Sequence, residues 1–340
     1  MAQISLGKTG LYVEQNGFGA LPIQRVSKQD AVYLLRKAYD GGMNFYDTAR
    51  SYSDSEEKLG EAFSGMWDKI VIATKIPAVD VPRFWDDLHT SLRMLRRDHI
   101  DIFQFHNPPI SPRPGDDGGL YDAMLEAKQQ GKIRFIGMTN HRLDVAWEAI
   151  NSGLYDTLQF PLSYLSTDKE LELVQACKEK EIGFIAMKAL SGGLITDSAA
   201  ACAWLSRFGH VIPIWGIQRE RELDEFLSYI PTPPALSNEM MDRIEVDRQE
   251  LQGNFCRGCG YCMPCPQGIS INMCARASLL LRRAPSDIIL SEDGQQMMKK
   301  IEDCTECGQC SEKCPYGLDV PDLLKKNYED VKEVLAGKPI

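Results

Sequence analysis

Eight short apolar runs, each followed by an amphipathic segment, constrain the fold of this chain more than any other feature. The runs cover residues 17–21, 43–48, 69–75, 100–106, 133–139, 157–163, 183–190 and 211–217. Most are continuous in Val, Ile, Leu or Phe, which is typical of strands buried on both faces. Eight strand–helix units of this kind predict an α/β fold, a closed (β/α)8 TIM barrel. An open doubly wound sheet is the alternative that the pattern leaves open.

The segments between these runs have the 3.6-residue periodicity of helices. In the first, residues 28–40, the apolar residues lie on one face, Ser27 is the expected N-cap and Gly41 the expected stop. Similar patterns occupy residues 55–64, 83–96, 119–130, 143–151, 168–180, 198–208 and 219–229. Before residue 17, Gly7 and Gly10 separate short β-prone runs and predict a hairpin that closes the bottom of the barrel.

A proline-rich break at 231–234 marks the end of the alternating pattern. We therefore predict a barrel over residues 1–235, a connecting helix over 236–255 and a small, mainly helical domain over 256–340. The last of these contains nine of the eleven cysteines. The amino-terminal residues have no basic region followed by an apolar one, so we expect no secretory signal and a cytoplasmic location. Disulfides are rare there, which favours metal ligation by the cysteines.

Eight of these cysteines form two closely spaced runs. The first is Cys256-x2-Cys259-x2-Cys262-x2-Cys265-Pro266, and the second is Cys304-x2-Cys307-x2-Cys310-x3-Cys314-Pro315. The second run matches the bacterial ferredoxin spacing, in which three cysteines bind one cluster and the fourth reaches the other; the first run is one residue short. We predict one [4Fe–4S] cluster on Cys256, Cys259, Cys262 and Cys314, and another on Cys304, Cys307, Cys310 and Cys265. Two zinc sites are the alternative, because C-x2-C pairs also occur in zinc ribbons.

Four polar residues lie at or just after the ends of consecutive predicted strands. Asp47 ends the second strand, Tyr52 follows five residues later, Lys75 ends the third strand and His106 ends the fourth. In a barrel, the carboxyl ends of the strands carry the active site. These four residues are therefore the candidate catalytic group.

The sequence around this group resembles a known family. Residues 47–60, DTARSYSDSEEKLG, are similar to the aldo-keto reductase motif D-T-A-x-x-Y-x-x-x-E-x-x-x-G. Lys75 and His106 stand where that family keeps its other two catalytic residues. The resemblance covers about residues 1–250. It implies a (β/α)8 barrel and the NAD(P)-linked interconversion of a carbonyl and an alcohol.

The residue types suit that chemistry. Carbonyl reduction needs a proton donor, and a free tyrosine has a pKa near 10. We expect the Lys75 ammonium to lower the pKa of Tyr52, Asp47 to hold Lys75, and His106 to donate a hydrogen bond to the carbonyl oxygen.

The resemblance also implies cofactor contacts. No G-x-G-x-x-G run precedes a helix, so a Rossmann site is not expected. Asn140 and Gln159 would bind the nicotinamide carboxamide, and Tyr164 would stack on its ring. Gly216, Glu222 and Phe226 depart from the residues usual in NADPH-selective members. Arg219 or Arg221 could compensate, because arginine is suited to bidentate phosphate recognition, and the choice between NADP and NAD stays open. The complete set of cofactor candidates is Thr139, Asn140, Gln159, Tyr164, Ser191, Gly192, Gly216, Gln218 and Arg219.

Taken together, the two parts resemble the aldo-keto reductase subgroup that has a C-terminal ferredoxin-like domain. The expected partner is a small carbonyl or alcohol, and a redox protein stays open as a further partner. The formal net charge of -10 argues against nucleic acid, and no apolar stretch is long enough to span a membrane. The alternative function is an electron-transfer or redox-sensing protein whose barrel binds nicotinamide without significant carbonyl turnover.

Overall fold

A computed structural model describes residues 3–77, 79–251, 255–283 and 286–339 of the chain. These residues form two compact units. The first contains residues 1–189 and 199–237, and the second contains residues 190–198 and 238–340. Of the segment predicted as a connector, residues 236–237 are grouped with the first unit and the rest with the second, and its residues 252–254 lie outside the described residues.

The first unit is built on a closed barrel of eight strands, each hydrogen-bonded in parallel to its neighbours. The prediction of a (β/α)8 barrel is confirmed, and the open-sheet alternative is wrong because the first and last barrel strands pair directly. The barrel strands are β3 (Gly17–Gly19), β4 (Phe45–Asp47), β5 (Val71–Ile76), β6 (Ile100–His106), β7 (Ile133–Thr139), β8 (Thr157–Pro161), β9 (Gly183–Met187) and β10 (Val211–Gly216).

A helix follows each barrel strand. The first begins and ends as the sequence predicts: the Ser27 side chain accepts a hydrogen bond from the backbone N–H of Asp30, and Gly41 is the C-cap. The eight helices are α1 (Lys28–Asp40), α2 (Ser55–Ala62), α3 (Val81–Leu95), α4 (Leu120–Gln129), α5 (Leu143–Ser152), α6 (Asp168–Glu179), α7 (Ser198–Leu205) and α8 (Glu220–Ser228).

An amino-terminal hairpin closes the bottom of the barrel. Strands β1 (Gln3–Ser5) and β2 (Tyr12–Glu14) pair antiparallel. Apolar side chains from the hairpin, including Leu6 and Val13, join one buried cluster with side chains from the barrel strands. The backbone N–H of Lys8 also donates to the carbonyl of Glu181, just before β9. The predicted hairpin is therefore present, and its apolar face completes the barrel core.

The second unit is helical, with its own apolar core. The first cysteine run lies in an irregular segment before the helix Ile271–Cys274. The second run precedes the helix Val320–Leu335, and its Cys310 lies inside the short helix Gln309–Glu312. The helices are α9 (Asn238–Glu250), α10 (Ile271–Cys274), α11 (Ala277–Arg283), α12 (Asp287–Leu290), α13 (Glu292–Lys299), α14 (Gln309–Glu312) and α15 (Val320–Leu335). Among the helices of the described residues, none has the length and apolarity that crossing a membrane requires.

Candidate active site and cysteine cavities

Three adjacent strands bring the candidate catalytic residues to one end of the barrel. Strand β4 ends at Asp47, Lys75 lies one residue before the end of β5, and β6 ends at His106. Because β4 pairs with β5 and β5 with β6, the carboxyl ends of these strands are neighbours. Tyr52 lies in the loop between β4 and α2. The structure therefore brings together the four residues that the sequence singles out.

Asp47 and Lys75 form a buried ion pair. Lys75 Nζ donates to Asp47 Oδ2 at 2.8 Å and to the Thr48 carbonyl at 2.6 Å, and the two side chains are 4% and 1% exposed. Burial raises the pKa of Asp47, and the Lys75 charge opposes that rise. Burial likewise lowers the pKa of Lys75, opposed by Asp47. Each charge thus compensates the desolvation of the other, and the pair fixes the ammonium in place.

The Tyr52 ring lies beside both the Lys75 ammonium of this pair and the His106 ring. Lys75 Nζ is 5.1 Å from the centroid of the Tyr52 ring, and the rings of Tyr52 and His106 meet edge to face with centroids 6.0 Å apart. The expected lowering of the Tyr52 pKa is wrong for this structure: burial raises it, and the Asp47 charge adds to the rise. The ammonium lies over the ring and directs its hydrogen bonds to Asp47 and Thr48, so burial dominates. The phenol therefore carries its proton at neutral pH.

His106 is neutral in this environment. Burial, with a smaller contribution from the Lys75 charge, lowers its pKa to about 3. Ser51 Oγ lies 3.4 Å from His106 Nδ1. A neutral imidazole has one N–H donor and one acceptor nitrogen, so His106 can donate one hydrogen bond to a substrate oxygen without transferring a proton.

A buried carboxylate, to which the sequence analysis assigned no role, holds the loop that contains Tyr52. Glu56 is 1% exposed, accepts a 2.7 Å hydrogen bond from Thr74 Oγ1, and pairs with the Arg50 guanidinium. The backbone N–H of Arg50 donates to the Lys75 carbonyl at 2.9 Å. The loop is therefore tied to β5 by side-chain and backbone hydrogen bonds. Glu56 is the glutamate of the 47–60 motif, and its place in that motif is the sequence signal that could have identified it.

A second residue that the sequence analysis missed lies inside the barrel. Gln104 is completely buried on β6, and its Nε2 donates to Gln159 Oε1 at 2.9 Å. The sequence places Gln104 in a largely apolar strand, and none of its neighbours in the sequence indicates a role at the site. The hydrogen bond positions the amide of Gln159, which is one of the cofactor candidates.

The candidates for holding nicotinamide lie at the ends of β7 and β8, and their polar atoms are partly engaged. Asn140 Nδ2 donates to the Pro108 carbonyl at 2.9 Å, and Asn140 Oδ1 accepts from the Arg142 N–H at 2.8 Å. Thr139 Oγ1 accepts from the backbone of Asn107. Each amide keeps further hydrogen-bonding capacity. Tyr164 is completely buried, so its ring presents no accessible face in this structure for stacking.

The candidates for holding adenosine surround the start of α8. Gly216 is exposed at the end of β10. Glu222 Oε2 accepts from the backbone N–H groups of Gln218 and Arg219 at 3.0 and 3.1 Å, and the Arg219 guanidinium pairs with the same carboxylate at 3.3 Å. An acidic side chain therefore occupies the amino terminus of α8, which is a favourable place for a negative charge.

The other two cofactor candidates, Ser191 and Gly192, belong to the second unit. Both have positive φ angles, of 48° and 68°. The Gly192 carbonyl accepts a 3.0 Å hydrogen bond from Nη1 of Arg276. This segment, residues 190–198, is thus anchored to the helical unit.

The cysteines of the second unit surround two cavities. One is lined by Cys256, Cys259, Cys262 and Cys314, and we call it the Cys256 cavity. The other is the Cys304 cavity. Five cysteines line it: Cys262, Cys265, Cys304, Cys307 and Cys310. The last cysteine of each run therefore borders the cavity formed by the other run.

The donor set fits iron–sulfur clusters. Thiolates around a cavity can each bind a different iron of a cubane, whereas a zinc site needs four ligands about 2.3 Å from one point. In the parts of the chain that the structure describes, no group of three His, Cys, Asp or Glu side chains converges on such a point. The remaining cysteines, Cys177, Cys202 and Cys274, are buried.

Comparisons with known proteins agree with this division of the chain. L-galactose dehydrogenase of Arabidopsis thaliana is 30% identical over 212 residues, covering 57% of this chain and 66% of that protein. The NADH-specific methylglyoxal reductase of Escherichia coli is 26% identical over 228 residues, covering 58% and 70%. The chain therefore spans about two thirds of the length of these relatives.

Solved structures share the barrel fold. A holo aldo-keto reductase from Bacillus halodurans superposes with a TM-score of 0.63 at 20% identity, over 73% of this chain and 96% of that one. An aldo-keto reductase from Klebsiella pneumoniae in complex with NADPH gives 0.59 at 20% identity, over 72% and 95%. At such identities the likeness establishes the fold alone.

Models of whole families give the assignment. Residues 15–201 match the aldo/keto reductase family, and residues 255–319 match a 4Fe-4S dicluster domain. The first match spans more than half of the 340 residues. This chain belongs to the aldo/keto reductase family and carries a C-terminal 4Fe-4S dicluster domain.

Proposed function

We propose that this protein interconverts a small carbonyl compound and the corresponding alcohol with a nicotinamide cofactor, and that Tyr52 is the proton donor and acceptor. The observation that carries the proposal is the buried Asp47–Lys75 ion pair beside Tyr52, with His106 facing the same ring. A phenol and a neutral imidazole whose rings are in contact supply two donors that a single carbonyl oxygen can accept.

The residues have separate tasks in this proposal. The bound nicotinamide supplies or accepts the hydride. His106, neutral because its pKa lies at about 3, donates a hydrogen bond that orients the carbonyl. Tyr52 gives its phenol proton to the developing alkoxide during reduction. Lys75 stabilises the phenolate that is left, because an ammonium close to the ring favours the charged form, and Asp47 holds Lys75 in place.

The contacts at α8 support NAD in preference to NADP. The Glu222 carboxylate already accepts the backbone N–H groups of Gln218 and Arg219. An acidic side chain can accept a hydrogen bond from a ribose 2′-hydroxyl but repels a 2′-phosphate. Carboxamide binding by Asn140 and Gln159 stays part of the proposal, whereas stacking on Tyr164 requires that side chain to become accessible.

We also propose two [4Fe–4S] clusters, one on Cys256, Cys259, Cys262 and Cys314 and one on Cys304, Cys307, Cys310 and Cys265. The lining of the two cavities supports this crosswise set. The clusters have a structural or an electron-transfer role, the latter with a redox protein as partner. A reducing cytoplasm suits the free thiolates. Hydride transfer moves two electrons and a cluster moves one, so electron exchange between them needs a carrier.

The test compares Tyr52→Phe with the wild type, both loaded with iron and sulfide, on a panel of aldehydes and ketones with NADH and NADPH. We expect kcat to fall at least about a hundredfold, the scale of general acid catalysis, with little change in the Kd of the cofactor. Undiminished reduction by the variant overturns the role of Tyr52. If neither protein turns over any compound while both bind cofactor, the electron-transfer alternative is favoured.

A further inference from the structure

A buried arginine of the second unit lies between the first cysteine run and the 190–198 segment. Arg276 is 9% exposed and follows α10. Its Nη1 donates to the Gly192 carbonyl at 3.0 Å. Its Nε is buried and has no hydrogen-bond partner among the residues that the structure describes. One guanidinium nitrogen, Nη1, is therefore engaged, while another, Nε, is left for a group outside the protein's own hydrogen bonds.

The guanidinium packs directly against the loop that joins Cys256 to Cys259. A Cβ placed on Gly258 would lie 2.5 Å from Arg276 Nη1, 2.8 Å from Cζ and 3.2 Å from Nε. Glycine is thus the residue that allows this close approach. The N–H of Gly258 in turn donates to Cys256 Sγ at 3.3 Å. The Arg276 guanidinium thus packs against the backbone of the cysteine loop at Gly258. Arg276 is not among the residues that line the Cys256 cavity.

A buried cation with an unpaired donor is expensive unless an anion compensates it. A cubane [4Fe–4S] cluster with four thiolates carries a net negative charge in both oxidation states, and the charge grows by one when it accepts an electron. The loop beside Arg276 supplies two of those thiolates. A cluster bound in the Cys256 cavity would therefore be an anion held by the same loop against which Arg276 packs.

We propose that Arg276 is the counter-cation of the cluster in the Cys256 cavity, that it raises the reduction potential of this cluster alone, and that it anchors the 190–198 segment by its hydrogen bond to Gly192. The inference rests on the two clusters of the proposed function. Arg276 acts here as a positioning and charge-tuning residue, since it neither lines the cavity nor ligates iron. Charge and hydrogen bonding near a cluster are established determinants of its potential.

The test is an anaerobic redox titration of the full, cluster-loaded chain, followed by EPR and visible absorbance. In Arg276→Gln we expect one of the two cluster potentials to fall by about 59 mV or more, which is a tenfold change in a one-electron equilibrium, while the other stays unchanged. Arg276→Lys keeps the charge and should restore most of the potential. Arg282→Gln is the matched control, because Arg282 is exposed and pairs with Asp330.

A second variant changes Gly192, whose carbonyl accepts the Arg276 hydrogen bond. A methyl group in Gly192→Ala would lie 2.8 Å from Arg276 Nη1 and 3.4 Å from the Arg257 carbonyl oxygen. Gly192 itself is far from every proposed sulfur ligand along the chain. We expect a smaller shift of the same potential, with faster amide hydrogen exchange across residues 190–198. This variant carries the test if Arg276→Gln fails to bind either cluster.

The outcomes separate this inference from the proposed function. Arg276→Gln protein that keeps both clusters and both potentials overturns the role of Arg276 but leaves the two clusters standing. Unchanged exchange at residues 190–198 in Arg276→Gln overturns the anchoring. Loss of one cluster in Arg276→Gln and its return in Arg276→Lys supports the need for a cation. If the wild-type protein binds no iron, both the proposed clusters and the role of Arg276 are overturned.

Discussion

Lys75 Nζ donates a 2.8 Å hydrogen bond to Asp47 Oδ2, and both side chains are removed from solvent at the edge where β4 and β5 end. The relationship explains why an ammonium can lie beside the Tyr52 ring inside a protein. Neither charge is stable there alone, because burial disfavours the ionised form of each. The pair is therefore a structural requirement of the barrel as well as part of the proposed chemistry.

Removal of one partner should destabilise the barrel. Lys75→Met leaves Asp47 buried without its counter-charge, and we expect the free energy of unfolding to fall by about 3–5 kcal/mol, measured by urea denaturation. The double variant Asp47→Asn, Lys75→Met should recover most of that loss yet remain inactive.

The matched control is Lys28→Met, since Lys28 forms an exposed pair with Glu57 at 2.5 Å. Exposed pairs contribute little, so its stability should match the wild type. Wild-type stability in the Lys75→Met single variant contradicts the account of the buried pair.

His106 should make the barrel sensitive to acid. Its pKa is about 3 in the folded protein and near 6.5 in the unfolded chain. Between these values the unfolded chain binds a proton that the folded barrel does not, so stability falls as the pH drops below about 6.5. The slope from this one group is at most about 1.4 kcal/mol per pH unit.

His106→Asn removes the titrating group, so its stability should depend less steeply on pH from 6.5 down to 4 than that of the wild type. Urea denaturation at several pH values measures both slopes. Equal slopes for the two proteins contradict the neutral state of the half-buried His106.

Glu222 should control the choice of cofactor. With the carboxylate at the start of α8, we expect NADH to be preferred to NADPH. Glu222→Gln removes the negative charge, and the ratio of kcat/KM for NADPH to that for NADH should rise about tenfold, or about 1.4 kcal/mol.

Steady-state kinetics with both cofactors measure the ratio. Glu225→Gln is the control, because Glu225 is an exposed residue farther along the same helix. A preference for NADPH in the wild type, or an unchanged ratio in Glu222→Gln, contradicts this assignment.

Paired cysteine substitutions should reveal which thiolates share a cluster. If ligation is crosswise, alanine at both Cys256 and Cys314 removes two of the four ligands of one cluster and leaves the other cluster intact. Alanine at both Cys256 and Cys265 then damages both. Iron and sulfide analysis, with EPR of the reduced protein, distinguishes the two results.

Ligation within each run predicts the reverse pattern. The cavities favour the crosswise result, because Cys314 borders the Cys256 cavity and Cys265 the Cys304 cavity. Full retention of one cluster in the Cys256 and Cys265 double variant contradicts it.

Much of the barrel could be predicted because local pattern and tertiary position agree there. A strand enclosed on both faces is apolar throughout, and helix α1 carries its cap, its stop and its apolar face within one segment. The order of strands along the chain then places Asp47, Lys75 and His106 on neighbouring strands. Iron–sulfur ligation by the cysteine runs could be predicted as well, because it depends on the spacing of the cysteines along the chain.

What could not be predicted depends on burial and on contacts distant in sequence. The pKa of Tyr52 rises because the surrounding side chains exclude water, whereas the motif alone suggested that Lys75 would dominate. The burial of Tyr164 has the same origin. Gln104 is one polar residue in an apolar strand, and Arg276 meets Gly192 across 84 positions of the chain. Neither contact leaves a local pattern.

The most direct test of the central claim follows the hydride itself. Cluster-loaded protein is incubated with nicotinamide cofactor deuterated at C4 and a panel of aldehydes and ketones, and the alcohols are analysed by mass spectrometry. The account predicts deuterium on the carbinol carbon of at least one product, formed at least about a hundredfold more slowly by Tyr52→Phe. Cofactor binding without any deuterated alcohol, or equal rates in the two proteins, would contradict it.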